Sequence, residues 1–349
     1  MKYQDIEFLK TVRDFLTVYL PKQRRFSENT VRSYRIALNL FFEYLHERKN
    51  IPLHSLSFQL LSKDNVSGYM EWLQTERNCS DTTCNQRLMA IRSFVRYAAI
   101  SDPANIYVQA DIGKVPVRKC ESRVVEFFSD NALKALLEQP DRSTRTGVRN
   151  SCFMILMYDT AARCQEMLDL KLKDLVLEGK SPYVYLTGKG SKTRAVPLME
   201  KTVAHLRTYL DRFHPENSRN KNDFLFYTVI HGVHCQMSPD TVAAFLKKYA
   251  ASARKTCDDI PNSVHPHQFR HTRAIAWYRN GVPLILVSEL LGHADVNTSQ
   301  IYAYADTEMK RVAISKAMGT TDANIETRGS TDSRWKGDDE LIRKLFGLK

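Results

Sequence analysis

The chain has 349 residues, of which 43% are hydrophobic and 26% charged, and its net charge is +12. That length supports two domains with buried cores, no apolar run approaches the roughly 18 residues of a membrane span, and the polar start from Met1 to Thr11 does not read as a secretory signal. The seven cysteines are odd in number, scattered and free of any CxxC pair, which argues against a disulfide framework or a zinc ribbon and for a reducing cytoplasm.

Asp5 to Tyr19 carries apolar residues at helical spacing. Ser27 and Asn29 are candidate caps for a second helix, whose core face is Val31, Tyr34, Ile36, Leu38, Phe41, Phe42 and Leu45. Lys63–Leu73 predicts a third helix with Asp64 as its cap, and Asp81–Tyr97 a fourth with Leu88, Ile91, Phe94 and Val95 inward. Pro103, Gly113, Pro116 and the pair Arg118-Lys119 interrupt the period, so residues 101–124 read as a break. Boundaries follow: a helical domain over residues 1–112, a linker over 113–124, a second domain over 125–319 and a tail over 320–349.

Both halves are basic. Residues 1–120 hold 18 basic and 12 acidic side chains, while the tail holds six of each. Such an excess suits a polyanionic partner, a generally basic soluble protein being the bland alternative. Arg24, Arg25, Arg32 and Arg35 surround the second helix, and Arg87, Arg92 and Arg96 lie on the fourth. These faces are candidates for phosphate contact, with a solvated helix surface as the competing reading.

Ser129 is a candidate cap before Ala132, Leu133, Ala135 and Leu136, and an apolar helix spans Arg149 to Thr160. Tyr183–Thr187 and Thr193–Leu198 read as two strands flanking Gly188-Lys189-Gly190-Ser191-Lys192, a hairpin with a basic, glycine-rich tip. His267 and Arg270 are three apart and share a helix face. Gly281 and Pro283 mark a turn, Gly292 ends the next helix just before His293, and Asn297 is a candidate cap for the short helix bearing Tyr302. Histidines 265, 267 and 271 raise the question of zinc, but no carboxylate or cysteine completes a ligand set and Arg270 would repel a cation. No metal or other cofactor is expected.

In this order the residues resemble the tyrosine recombinase (phage integrase) family. Its pattern of arginine, hairpin lysine, HxxR, histidine or tryptophan, then tyrosine is filled by Arg163, Lys189, His267 with Arg270, His293 and Tyr302, and Glu166 stands at the family's acidic position. Asn29 to Leu45 and Asn85 to Tyr97 are similar to the family's core-binding domain, so the resemblance covers residues 5–318. It implies a mainly α fold with a small antiparallel β-sheet: an N-terminal all-α, SAM-like core-binding domain and a mixed α/β catalytic domain. Ala161-Ala162 stands where the family often has Gly-Leu, Cys164 is unusual, and Arg273 replaces a commonly apolar residue.

The resemblance implies cleavage and rejoining of DNA through a 3′-phosphotyrosine, without metal or ATP. In that scheme Arg163 and Arg270 clamp the phosphate and nearby cations favour the Tyr302 phenolate. Lys189 protonates the leaving 5′-hydroxyl, with Lys192 as second candidate. His267 accepts the Tyr302 proton or binds phosphate, His293 adds a phosphate hydrogen bond, and Glu166 orients a neighbour; Tyr304 is the second candidate nucleophile. The partners implied are double-stranded core sites, a homotetramer exchanging strands through a Holliday junction, and accessory or directionality factors, in a nucleoid-associated bacterial protein without a membrane role. Tyr304 to Arg311 is similar to recombinases of transposons and integrative elements, and no arm-binding domain is expected ahead of residue 5. A type IB topoisomerase, a noncatalytic DNA-binding protein and a zinc hydrolase are the rival readings. Two segments compete as the part exchanged between subunits: Thr307–Met318, and an amphipathic tail helix over Asp338–Leu348 bearing Leu341, Ile342, Leu345 and Phe346.

Overall fold

The computed structural model describes residues 3–120, 125–188, 190, 192–293 and 295–305, and divides the chain into two compact units, Met1–Arg123 and Val124–Lys349. Lys189, residues 307–318 and the tail lie outside the described residues. Among the described residues no helix is long and apolar enough to cross a membrane.

The first unit is all helical: α1 (Tyr3–Asp14), α2 (Glu28–Lys49), α3 (Lys63–Thr75), α4 (Asp81–Ser101) and α5 (Ile106–Gly113). Serine caps set three starts. Ser27, Ser62 and Ser80 each accept a hydrogen bond from the amide three residues on, at 3.4, 3.3 and 3.4 Å, satisfying a donor the first turn leaves open. Ser62 therefore caps α3, and Asp64 sits inside its first turn. After α1 the chain continues as wider π-helical turns over Phe15–Gln23, where Pro21 has no amide to donate and Arg24 N reaches back to Tyr19 O at 2.8 Å.

Phe8, Phe15, Phe41 and Phe94 are buried at the centre of this unit, with edge-on contacts such as Phe15–Phe94 at 5.3 Å. Burying each such ring stabilises by about 1.5–3 kcal/mol. The break expected at residues 101–124 is only partly a break. Asp102 caps a 3₁₀ turn that leads into α5, and Val108, Ile112 and Val115 join the core. Beyond it Arg118 donates to Gln74 Oε1 at 2.6 Å and to Met70 O at 3.0 Å, so the segment up to Cys120 packs on the first unit.

The second unit is built around α7 (Arg145–Thr160), preceded by α6 (Asp130–Leu137) and followed by α8 (Cys164–Asp169). Ser129 caps α6 and Thr144 caps α7. Helix α7 is buried along most of its length, Met154, Leu156 and Met157 completely, and packs against α9 (Glu200–Phe213) and α11 (Pro266–Arg279). An antiparallel sheet in the order β1 (Leu175–Val176), β2 (Tyr183–Thr187), β3 (Thr193–Pro197) turns Val184, Leu186 and Val196 onto that core. A second hairpin, β4 (Tyr227–Ile230) with β5 (Val233–Gln236), precedes α10 (Pro239–Ala253). Helix α12 (Leu284–Leu291) stops at Gly292, whose φ of +64° is the left-handed conformation a glycine adopts without strain. Asp295, rather than Asn297, then caps the 3₁₀ turn Val296–Ser299, by accepting from Asn297 N at 2.9 Å, and α13 (Gln300–Ala305) follows.

Candidate active site

The N-terminus of α8 places Arg163 and Glu166 one turn apart. Arg163 N donates to Glu166 Oε2 at 2.9 Å and Arg163 Nη1 to Oε1 at 2.8 Å, while Nη2 reaches Gly292 O at 3.3 Å. Glu166 is 4% exposed and holds a second guanidinium: Arg194 Nη1 at 3.0 Å and Nη2 at 2.7 Å. Burial pushes the Glu166 carboxyl up, but the Arg194 hydrogen bond and charge, together with the Arg163 bonds, outweigh it and hold the group below its usual range. Gly188 passes close above: a Cβ there would lie 3.0 Å from Glu166 Oε1.

Arg270 is 3% exposed and fixed by two helix ends. Its Nη1 donates to Ala161 O at 2.8 Å and its Nη2 to Leu291 O at 2.7 Å. Both carbonyls are open because their helices stop there, α7 with Ala161 at φ +51° and α12 before Gly292. Burial, then the charge of Arg163, lower the Arg270 pKa to about 10, which leaves it cationic at neutral pH.

Tyr302 on α13 is 1% exposed. Its Oη lies 3.1 Å from Nδ1 of His271, and its ring lies parallel to that of His293 with centroids 6.5 Å apart. His293 Nδ1 lies 2.7 Å from the Oγ of fully buried Ser299. His267 stands one turn before His271 on α11, their rings 6.4 Å apart. Burial lowers the pKa of all three histidines. His265, Arg270 and Arg163 add to the effect at His267; His267, Arg270 and His265 bring His271 to about 4; Arg270, Arg163, Arg194 and His271 bring His293 to about 4.

The structure adds to two expectations here. Cations were expected to favour the Tyr302 phenolate, but burial outweighs Arg270 and Arg163 and raises its pKa, so the resting group is a phenol. His267 was expected to take the Tyr302 proton or to bind phosphate; in the resting site the imidazole within hydrogen-bond distance of Tyr302 Oη is that of His271, four residues further along the same helix face.

Arg163, Glu166, Arg270, His293 and Tyr302 therefore meet in one cluster, and Lys189 falls outside the described residues. Lys192 is exposed, and its carbonyl accepts from Gly188 N at 2.9 Å. Among the described residues no three His, Cys, Asp or Glu side chains gather as a metal site. Arg194 and His271 are the site residues that sequence reasoning missed. For Arg194 the signal was present: it shares a strand face with core residue Val196, an unusual place for an unpartnered charge. Arg273 is structural. Its guanidinium pairs with buried Asp159 at 2.7 Å and lies over the rings of Tyr158 and Trp277.

In the first unit Arg24, Arg25, Arg32 and Arg35 are exposed. Arg32 and the half-buried Arg87 line a groove between α2 and α4 with Ser33, Ile36, Thr83 and Gln86. Arg92 is used differently: its guanidinium donates to the carbonyls of Gly113 and Val115, which anchors the end of α5.

Residues 126–309 match the phage integrase family, and residues 13–100 match the phage integrase N-terminal SAM-like domain. The protein y4rC of Sinorhizobium fredii, named as an integrase/recombinase, is 28% identical over 343 residues, covering 97% of each chain. Tyrosine recombinase XerC of Staphylococcus epidermidis is 26% identical over 300 residues, covering 86% of this chain and 94% of its own. The fold is also that of the Tn1549 transposon integrase bound to transposon right-end DNA, with a TM-score of 0.62 and 16% identity over 87% of this chain and 98% of that one.

Proposed function

Because the chain belongs to the phage integrase family, and is a site-specific tyrosine recombinase, we propose that Tyr302 is its nucleophile and that the DNA it moves is a mobile genetic element. The observation that carries the assignment of residues is the convergence of Arg163, Arg270, His293 and Tyr302 from four separate segments onto one spot. The mobile-element reading is supported by the integrase name of y4rC and by the fold shared with a transposon integrase.

In this scheme Arg163 and Arg270 hold the nonbridging oxygens of the scissile phosphate. Tyr302 Oη attacks phosphorus, the bond to the 5′ oxygen breaks, and a 3′-phosphotyrosine forms. The leaving oxygen takes a proton from Lys189, a role implied by the family pattern, and the Tyr302 proton passes to a histidine of α11. A 5′-hydroxyl from the partner strand reverses the reaction and rejoins the DNA, so bond energy is conserved and no nucleotide is consumed. Exposed Arg24, Arg25, Arg32 and Arg35, with Arg87 at the groove edge, supply phosphate contacts from the first unit. Four subunits would pair two core sites and exchange strands through a Holliday junction.

The test is a nicked core-site duplex that traps the covalent intermediate. Tyr302→Phe should bind the duplex with unchanged affinity and form no adduct; an adduct that persists moves the nucleophile elsewhere. Relaxation of supercoiled DNA with no recombinant product would instead favour a topoisomerase.

A further inference from the structure

Glu166 carries one negative charge and is shared by two arginines, unequally. Arg194 forks onto both carboxylate oxygens, at 2.7 and 3.0 Å, and its side chain is 11% exposed. The Arg163 side chain makes one bond to Glu166, at 2.8 Å, reaches Gly292 O only at 3.3 Å, and is 34% exposed. Arg194 is locked by a third bond, from Nε to Leu290 O at 2.7 Å. Gly292 leaves room for it, since a Cβ there would lie 2.9 Å from Arg194 Nη1.

We propose that Arg194 is a positioning residue that saturates Glu166, and thereby leaves Arg163 with a free donor edge and an uncancelled charge for the scissile phosphate. A two-pronged guanidinium–carboxylate pair is the strongest arrangement open to either group. With Arg194 present, Glu166 has its fork partner and meets the Arg163 side chain through one prong, the other prong resting on Gly292 O at 3.3 Å. Without it, Arg163 is the remaining guanidinium on Glu166, and it can turn its second prong onto the oxygen that Arg194 vacates. Arg163 would then face the DNA as half of a neutral pair. The same residue ties strand β3 to the end of α12, so the hairpin and the turn bearing His293 are registered against one carboxylate. This inference rests on the recombinase reading above.

The experiment measures the rate of covalent adduct formation on nicked core-site DNA, with DNA affinity and melting temperature measured alongside. Arg194→Met should slow adduct formation by about 100-fold, the scale of losing one oriented charge donor, while DNA affinity changes only a few-fold. The deciding variant is Arg194→Met/Glu166→Gln. Glutamine has no charge with which to capture Arg163, so the double variant should recover at least about ten-fold over Arg194→Met. A folded Arg194→Met that cleaves at the wild-type rate, or a double variant no faster than the single one, overturns the proposal. If Arg194→Met melts below the assay temperature, Arg194→Lys with and without Glu166→Gln gives the same comparison. Wild-type protein that forms no adduct overturns the recombinase reading and this proposal with it; a wild-type adduct without rescue overturns this proposal alone.

Discussion

Arg273 gives the most quantitative test of how the second unit is held together. Its Nη2 donates to Asp159 Oδ1 at 2.7 Å and its Nε to Asp159 O at 3.2 Å, while Asp159 Oδ2 accepts from Met199 N at 2.9 Å. The side chains are 16% and 5% exposed, so water screens the pair weakly. Arg273→Met keeps the apolar stem between Tyr158 and Trp277 but leaves the Asp159 carboxylate buried with one amide donor. Stranding one partner of a buried pair costs about 3–5 kcal/mol. The surviving bond from Met199 puts the expected loss near the low end, about 3 kcal/mol. For a unit of this size that is a fall in melting temperature of about 6–12 °C. Asp159→Asn keeps an acceptor for Met199 and leaves Arg273 its carbonyl and two rings, so about 2 kcal/mol is expected. The double variant should cost less than the sum by about 1.5 kcal/mol or more, because no buried charge is then left without its counter-charge. Urea denaturation followed by circular dichroism gives all four corners of the cycle. Additivity within about 0.5 kcal/mol would refute the pairing argument.

Three further outcomes follow from the geometry. Gly147→Ala would bring a Cβ to 1.8 Å from the backbone oxygen of Asp141, so α7 must shift; a loss of about 3 kcal/mol in urea denaturation is expected, and an unchanged midpoint would contradict it. Gly292→Ala adds about 1 kcal/mol of strain at its φ of +64° and presses on Arg194, so adduct formation should slow as in the Arg194 variants; a wild-type rate would count against that coupling. His271 and His293 have folded pKa values of about 4, against about 6.5 when unfolded, so the unfolded chain binds more protons between these values. Their contribution to stability is complete above about pH 6.5 and is lost as pH falls toward 4. Melting curves at pH 7, 6 and 5 should show a falling midpoint that flattens in His271→Gln, and parallel curves for both proteins would refute the assignment.

What the sequence revealed depended on the range of each interaction. Ser27 and Ser129 are legible as caps because a hydroxyl and the amide it accepts from are three residues apart. Helix α5 was hidden by Pro103 and Gly113, two residues that read as breakers yet sit in its leading turn and at its last position. Strands β4 and β5 are four residues each around His231-Gly232, both at positive φ, a signal too short to separate from a loop. The order from Arg163 to Tyr302 was legible through the family pattern. The partners of those residues were not. That His271 meets Tyr302, or that Arg194 meets Glu166 across 28 residues, depends on how α11, α13, α8 and β3 pack, and no local pattern encodes it.

The charges of the cluster fit a proposed nucleophile that rests as a buried phenol. Among the described residues, Arg163, Arg194 and Arg270 bring three positive charges and Glu166 one negative, while burial keeps His267, His271 and His293 neutral near pH 7. Two positive charges remain. A phosphodiester in the proposed site brings one negative charge, and the five-coordinate species formed as Tyr302 adds approaches two. The cluster thus matches the charge of the transition state better than that of the bound substrate, the condition for accelerating the step rather than merely binding DNA. A phenolate present beforehand would cancel one of those charges and repel the incoming phosphate. Burial outweighs the pull of Arg270 and Arg163 and keeps Tyr302 a phenol at rest, and in the proposed mechanism its proton leaves as the phosphorus accepts the oxygen. Shielding Arg163 from full pairing with Glu166 serves the same balance, since a fully paired Arg163 would lower the local charge facing the phosphate at the moment it is needed.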